Sequence, residues 1–279
     1  MTLESDVAQH YATGDLLDRI DAALSQAMAD PAHLTIDDLK PVDEFHTAGI
    51  ESTSALLDQL DIDAGMVVYD LGCGIGGTAR HILHRYGARV EGVDLTEHYV
   101  LAGRGLNDRL GLGEAIRLHQ GSVLSLPWDS ESADLVTMFH VGMNIADKPT
   151  LFEQAARVLK PGGCFALFDV MRGENAEPLA FPVPWADHAA ISHVEPPGIY
   201  RRAAHAAGLQ ETSERDRSEF AIHYFDRVFR MIAAKGAPPL GIHLLMSGDP
   251  SEKLGNFVSN LKTGRVAPTE MIFRKPNKP

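Results

Sequence analysis

The segment that most constrains this chain is Asp70-Leu71-Gly72-Cys73-Gly74-Ile75-Gly76-Gly77, which follows the apolar run Val67-Val68-Tyr69. A short β-prone apolar run that stops in glycines reads as a buried strand. Thr78 to Arg85 then reads as a helix. Strand, glycine loop and helix in that order form the opening unit of a parallel α/β sheet. Gly72, Gly74 and Gly77 satisfy the G-x-G-x-x-G pattern. Such glycines let the backbone turn tightly and come close to a ligand, while the following helix presents its first amides. Alone, the pattern is weak and suits any adenosine-bearing cofactor.

The downstream pattern repeats the unit. Arg89 to Asp94, Ala115 to Gln120, Ala133 to Phe139 and Phe165 to Val170 read as further strands. His98 to Leu110 and Leu151 to Leu159 read as helices between them, the latter stopped by Pro161-Gly162-Gly163. Strands alternating with helices imply right-handed crossovers and a doubly wound, mostly parallel α/β sheet of Rossmann-like type. Residues 1–64 read as an N-terminal helical cap, with Leu16, Leu17, Ile20, Ala23 and Leu24 at helical spacing and breaks expected at Pro31 and Pro41. Residues 65–175 form the cofactor-binding core, and 176–279 a lid insertion and the C-terminal part of the same domain. In that last part Pro197 to Ala207 and Phe220 to Lys235 read as helices and Thr212 to Ser218 as a strand. Leu240 to Met246 and Phe257 to Leu261 carry no clear pattern.

Two acids narrow the choice of ligand. Asp70 ends the first strand just ahead of the glycines, where it would repel a pyrophosphate but suits a methionine ammonium. Asp94 ends the second strand, where a Rossmann fold puts its ribose-binding carboxylate. The loop also fits D-x-G-x-G-x-G in full. On these segments, with Gly92-Val93-Asp94-Leu95-Thr96, Gly121-Ser122-Val123-Leu124-Ser125-Leu126-Pro127 and Arg157-Val158-Leu159-Lys160-Pro161-Gly162-Gly163, the chain resembles the class I S-adenosylmethionine-dependent methyltransferases. Within them it is most similar to the bacterial sarcosine/dimethylglycine N-methyltransferases and, further off, to ubiquinone-type C-methyltransferases.

The resemblance implies S-adenosyl-L-methionine as cofactor and S-adenosyl-L-homocysteine as product. Asp70, Gly72, Cys73, Gly74, Gly76, Asp94, Leu95, Ser122, Val123 and His46 would hold it. The family carries an Asp that accepts the adenine amino group where this chain has Ser122. Tyr11 either helps close the site or is a packed aromatic. Methyl transfer is an in-line displacement that needs alignment and exclusion of water. The loop after the fourth strand, Phe139-His140-Val141-Gly142-Met143-Asn144, lies where open sheets bind ligands. There His140 is the candidate catalytic residue, as base or substrate contact, against a merely hydrogen-bonding role. Asn144 would bind a substrate polar group or cap the next helix. Trp185, in the Pro-rich segment from Phe181, would give a cation–π surface for a methylated amine or pack the lid.

The resemblance points to a small-molecule acceptor, first an amine nitrogen of the sarcosine or dimethylglycine kind. C- or O-methylation of a quinol, phenolic natural product or prenyl acceptor is the alternative; outside the class stands an NAD-dependent oxidoreductase. The formal net charge of −13 disfavours nucleic acid and anionic membranes as partners. No window is long and apolar enough for a membrane span. The 2 cysteines are too few for a disulfide framework, which fits a reduced, cytoplasmic setting. The remaining histidines, including His188, His193, His223 and His243, lack metal-ligand spacing, so no metal is expected. The C-terminal region offers a surface for a homodimer contact.

Overall fold

The computed structural model describes residues 3–11, 16–28, 30 and 33–278. Four helices come first: α1 (Leu3–Tyr11), α2 (Leu16–Ala27), α3 (Ile36–Asp43) and α4 (Ile50–Leu57). The alternating unit follows as β1 (Val67–Leu71), α5 (Gly77–Tyr86), β2 (Arg89–Asp94), α6 (Glu97–Arg109), β3 (Ile116–Gln120), β4 (Ala133–Phe139), α7 (Lys148–Val158) and β5 (Leu159–Arg172). The chain ends with α8 (Pro197–Ala206), β6 (Gln210–Asp216), α9 (Ser218–Lys235), α10 (Pro250–Lys262) and β7 (Val266–Arg274).

The strands form one seven-stranded sheet in the order β3-β2-β1-β4-β5-β7-β6. The first five strands are parallel, and β7 runs antiparallel to both β5 and β6. This is the Rossmann-like, mostly parallel α/β sheet expected from the sequence. Strand order reverses between β1 and β4, so the loops leaving their carboxyl ends splay apart and leave a crevice. The glycine loop and His140 leave from those two ends.

Successive strand residues point to opposite faces. Val68 accordingly packs with Ile82 and Val90 on one side, and Tyr69 and Leu71 with Phe152 and Phe165 on the other. The cap helices bury Leu16, Ile20, Ala23 and Leu24 of α2 against Leu39, Val42, Tyr99 and Leu106. No helix among the described residues is long and apolar enough to cross a membrane.

Two expectations change. Pro41 does not break α3, which continues to Asp43 with Leu39 and Val42 fully buried; packing on both sides of the proline outweighs the lost helical hydrogen bond. The break expected at Pro31 lies outside the described residues. The tail without clear pattern holds α10 and the inner strand β7. Pro268 disguises that strand, since proline is rare inside sheets. Its carbonyl accepts from the Arg217 N–H at 2.8 Å, so its donor-less nitrogen faces the same side. Pairing with β6 ends there, at Thr269.

Candidate active site

The glycine loop is built by two opposite demands. Gly72 has φ 73°, and a Cβ there would meet Val141 Cγ2 at 2.1 Å; this glycine admits the β4 loop. Gly74 has φ 53°, with nothing within 4 Å of a Cβ position; this one faces open cavity. The Gly74 N–H donates to Asp94 Oδ2 at 2.9 Å and the Thr96 N–H to Asp94 Oδ1 at 2.8 Å. Each carboxylate oxygen keeps a further lone pair for a ligand hydroxyl.

Asp70 lies beneath the loop, 2% exposed, and accepts from Thr137 Oγ1 at 2.7 Å. Burial pushes its carboxyl up to about 7, and the Thr137 bond only partly opposes that. Burial likewise raises Asp94 against the pull of its two amides. A carboxyl pushed this high suits a cationic ligand group, which would restore its ionised form. The open face at Gly74 and the Asp70–Asp94 pair thus fit the ammonium and ribose of the expected cofactor.

The cavity over this floor measures about 510 Å³. Asp70, Gly72, Cys73, Gly74, Asp94, Leu95, Ser122, Val123, His46 and His140 all line it, as do Tyr11, Asn144 and Trp185. Gly76 stands behind the wall as the residue before α5, with φ 85°. The far wall comes from α9, α10 and the segment between them, with Phe225, Phe229, Met246, Leu254 and Phe257 prominent. Among the described lining residues Lys40 is the one Lys or Arg, and its Nζ lies 2.6 Å from Asp37 Oδ1.

His140 sits at the crevice with φ 53°, an uncommon conformation for a residue with a side chain. Its N–H is held by the Phe168 carbonyl at 2.8 Å and its ring lies 5.0 Å from the Phe168 ring. Its Nε2 is buried without a hydrogen-bond partner among the described residues. Burial, and secondarily the neighbouring His46, hold its pKa well below the usual value. The imidazole is therefore neutral at neutral pH, as a proton acceptor must be. His46 lies beside it at 5.9 Å between ring centres, its Nε2 3.1 Å from Glu44 Oε2 and 2.9 Å from Thr53 Oγ1. Burial alone would raise the Glu44 carboxyl, but the His46 and Thr53 contacts bring it below its ordinary value.

The three other sequence candidates meet at one joint. Tyr11 donates to Asn144 Oδ1 at 3.0 Å, and Asn144 Nδ2 donates to the Trp185 and Ile191 carbonyls at 2.8 and 3.1 Å. Trp185 is 2% exposed, edge-on to Phe257, and its indole N–H donates to Ser192 Oγ at 3.0 Å. The cap to α7 comes from Asp147 instead of Asn144. Beside this joint, Asp187 lies 3.0 Å from His10 Nδ1 and 2.9 Å from Lys253 Nζ. These contacts tie α1, the Pro-rich segment and α10 into one cover.

Sequence reasoning missed Glu4, Glu44 and Arg80. Fully buried Arg80 pairs with Asp43, holds Asn107 Oδ1 at 2.7 Å and the Ile75 carbonyl at 2.8 Å, and so fixes the glycine loop to the cap. Nothing local in the sequence marks it, because each partner lies on another element. Glu44 stood in view beside Phe45-His46, and its spacing to Thr53 across the Gly49 turn was the available signal.

A methyltransferase-domain family model matches residues 68–163. Dimethylglycine N-methyltransferase of Parasynechococcus marenigrum (strain WH8102) is 29% identical over 85% of this chain and 85% of its own length. Sarcosine/dimethylglycine N-methyltransferase of Halorhodospira halochloris is 28% identical over 70% of this chain and 68% of its own. Among solved structures, geranyl diphosphate C-methyltransferase from Streptomyces coelicolor A3(2), in complex with Mg2+, geranyl diphosphate and S-adenosyl-L-homocysteine, has the same fold. It aligns with TM-score 0.71 at 18% identity, covering 99% of this chain and 98% of that one. Carrying this methyltransferase domain, the chain resembles the class I S-adenosylmethionine-dependent methyltransferases and is an enzyme that takes its methyl group from that cofactor.

Proposed function

We propose that the enzyme methylates a small molecule with a largely apolar body, at a hydroxyl or an activated carbon. The carrying observation is the far wall of the cavity. Phe225, Phe229, Met246, Leu254 and Phe257 line it, and Lys40, already paired with Asp37, is the one Lys or Arg among the described lining residues. An apolar wall of this kind suits an apolar acceptor. A free amino-acid acceptor would instead need a cation held ready for its carboxylate.

When bound, the cofactor supplies an electrophilic methyl group on a positively charged sulfur. This chain's residues align and shield the reaction. Asp70 holds the ammonium end, Asp94 the ribose, and the α1–lid–α10 cover keeps water out. His140 Nε2, neutral and without a hydrogen-bond partner among the described residues, receives the proton that a hydroxyl acceptor releases.

The second reading is methylation of an amine nitrogen, as sarcosine or dimethylglycine. Two relatives named for such acceptors, at 29% and 28% identity, support it. A mass-spectrometric screen separates the two. With S-adenosylmethionine supplied, phenols, quinols and isoprenoid alcohols are expected to gain one methylene unit of mass. Turnover of sarcosine or dimethylglycine with no gain on any apolar acceptor would overturn the first reading and establish the second.

A further inference from the structure

We infer that Glu4, carried by the N-terminal helix, reads the amino edge of the cofactor's adenine from across the cavity. The direction of the cofactor follows from the sheet. At the carboxyl ends of the strands, β1 offers Asp70, β2 offers Asp94, and the next strand outward is β3. An ammonium on Asp70 and a ribose on Asp94 leave the base to lie over the loop after β3, at Ser122 and Val123. Leu95 and Val123 give that end apolar walls suited to the faces of a flat ring. The ring's exocyclic amine is a donor and needs an acceptor at its edge.

The loop itself has little to offer. Ser122 Oγ already accepts from the Leu124 N–H at 3.0 Å, and its own proton goes to Glu4 Oε1. The free acceptor there is Glu4. Its Oε1 is fixed by Ser122, while its Oε2 has no hydrogen-bond partner among the described residues, and the residue lines the cavity. Ser122 therefore positions a carboxylate brought from 118 residues away.

A consequence sets this apart from a carboxylate built into the sheet. The helix that carries Glu4 also carries His10 and Tyr11, bound to Asp187 and Asn144. Recognition of the base and closure of the cover are thus made by one element. The inference concerns the donor and holds whichever acceptor is used.

Calorimetry on the full chain tests it, with S-adenosylhomocysteine and its deaminated analogue S-inosylhomocysteine, whose keto oxygen replaces the amine. Glu4→Ala is expected to weaken S-adenosylhomocysteine about tenfold or more, the scale of a hydrogen bond to a charged group. The analogue should lose little, so the preference between the two shrinks by the same factor. Ser122→Asp added to Glu4→Ala is expected to recover most of the preference, by placing a carboxylate on the loop side. Equal weakening of both ligands would make α1 a mere cover and overturn the inference. Unchanged affinity for S-adenosylhomocysteine would overturn it as well.

Discussion

At the scale of single residues, the site depends on groups whose burial sets their protonation. With its carboxyl pushed up to about 7, Asp70 is ionised above that pH and takes up a proton below it in the empty enzyme. An ammonium binds the ionised form, so affinity is full above pH 7 and falls as pH drops through it, by about tenfold per unit. The Kd for S-adenosylhomocysteine is expected to be about tenfold weaker at pH 6 than at pH 8, and Asp70→Asn should flatten that slope. A flat profile in the unsubstituted enzyme would show that Asp70 does not hold the ammonium. His140 gives a complementary test. As a base already neutral at pH 7, it should leave kcat at saturating cofactor level from neutral pH upward. His140→Ala should lower kcat on a hydroxyl acceptor by about 10²–10⁴. The positions of Asp70, Asp94 and the glycines at the cavity were legible in the sequence because they follow from strand ends and turn chemistry a few residues long. Glu4 and Arg80 were not, because their partners are brought near only by the finished fold.

At the scale of elements, legibility followed periodicity. The β1 to β5 unit repeats a pattern of apolar runs, glycine stops and amphipathic helices, and the structure follows it closely. The edge of the sheet departs from that pattern. β6 alternates exposed and half-buried positions in a polar sequence, and β7 hides behind Pro268. The joint between α1 and the Pro-rich segment was equally invisible, since Tyr11, Asn144 and Trp185 stood as separate candidates. Their contacts give them a shared consequence. Tyr11→Phe removes the donor to Asn144 Oδ1 and leaves that buried acceptor unmet, at a cost of about 1–3 kcal/mol to the docking of α1. Limited proteolysis should cut ahead of α2 faster in the variant, while the global unfolding midpoint stays nearly unchanged. A drop in midpoint with no change in cutting would mean that the bond belongs to the core.

At the scale of the whole molecule, one buried cation joins cap and catalytic core. Arg80 on α5 is bound to Asp43 at the end of α3, to Asn107 on α6 and to the glycine loop at Ile75. Removing one partner of a buried pair leaves the other charge uncompensated, which costs about 3–5 kcal/mol. Arg80→Ala is expected to lose that much in denaturant unfolding, with reduced affinity for S-adenosylhomocysteine because the loop is released. Replacing the pair together, Arg80→Met with Asp43→Leu, should recover part of the stability. Stability unchanged in the single variant would refute the bracing role.

The distribution of charge over the cavity has a consequence for the enzyme's working cycle. Glu4, Glu44, Asp70 and Asp94 all line a chamber whose Lys40 is paired with Asp37. They face a donor whose positive charge the transfer itself removes. The attraction that draws in fresh donor therefore fades at the moment it is spent. Exchange of the used molecule for a new one is thereby favoured by the chemistry of the step itself.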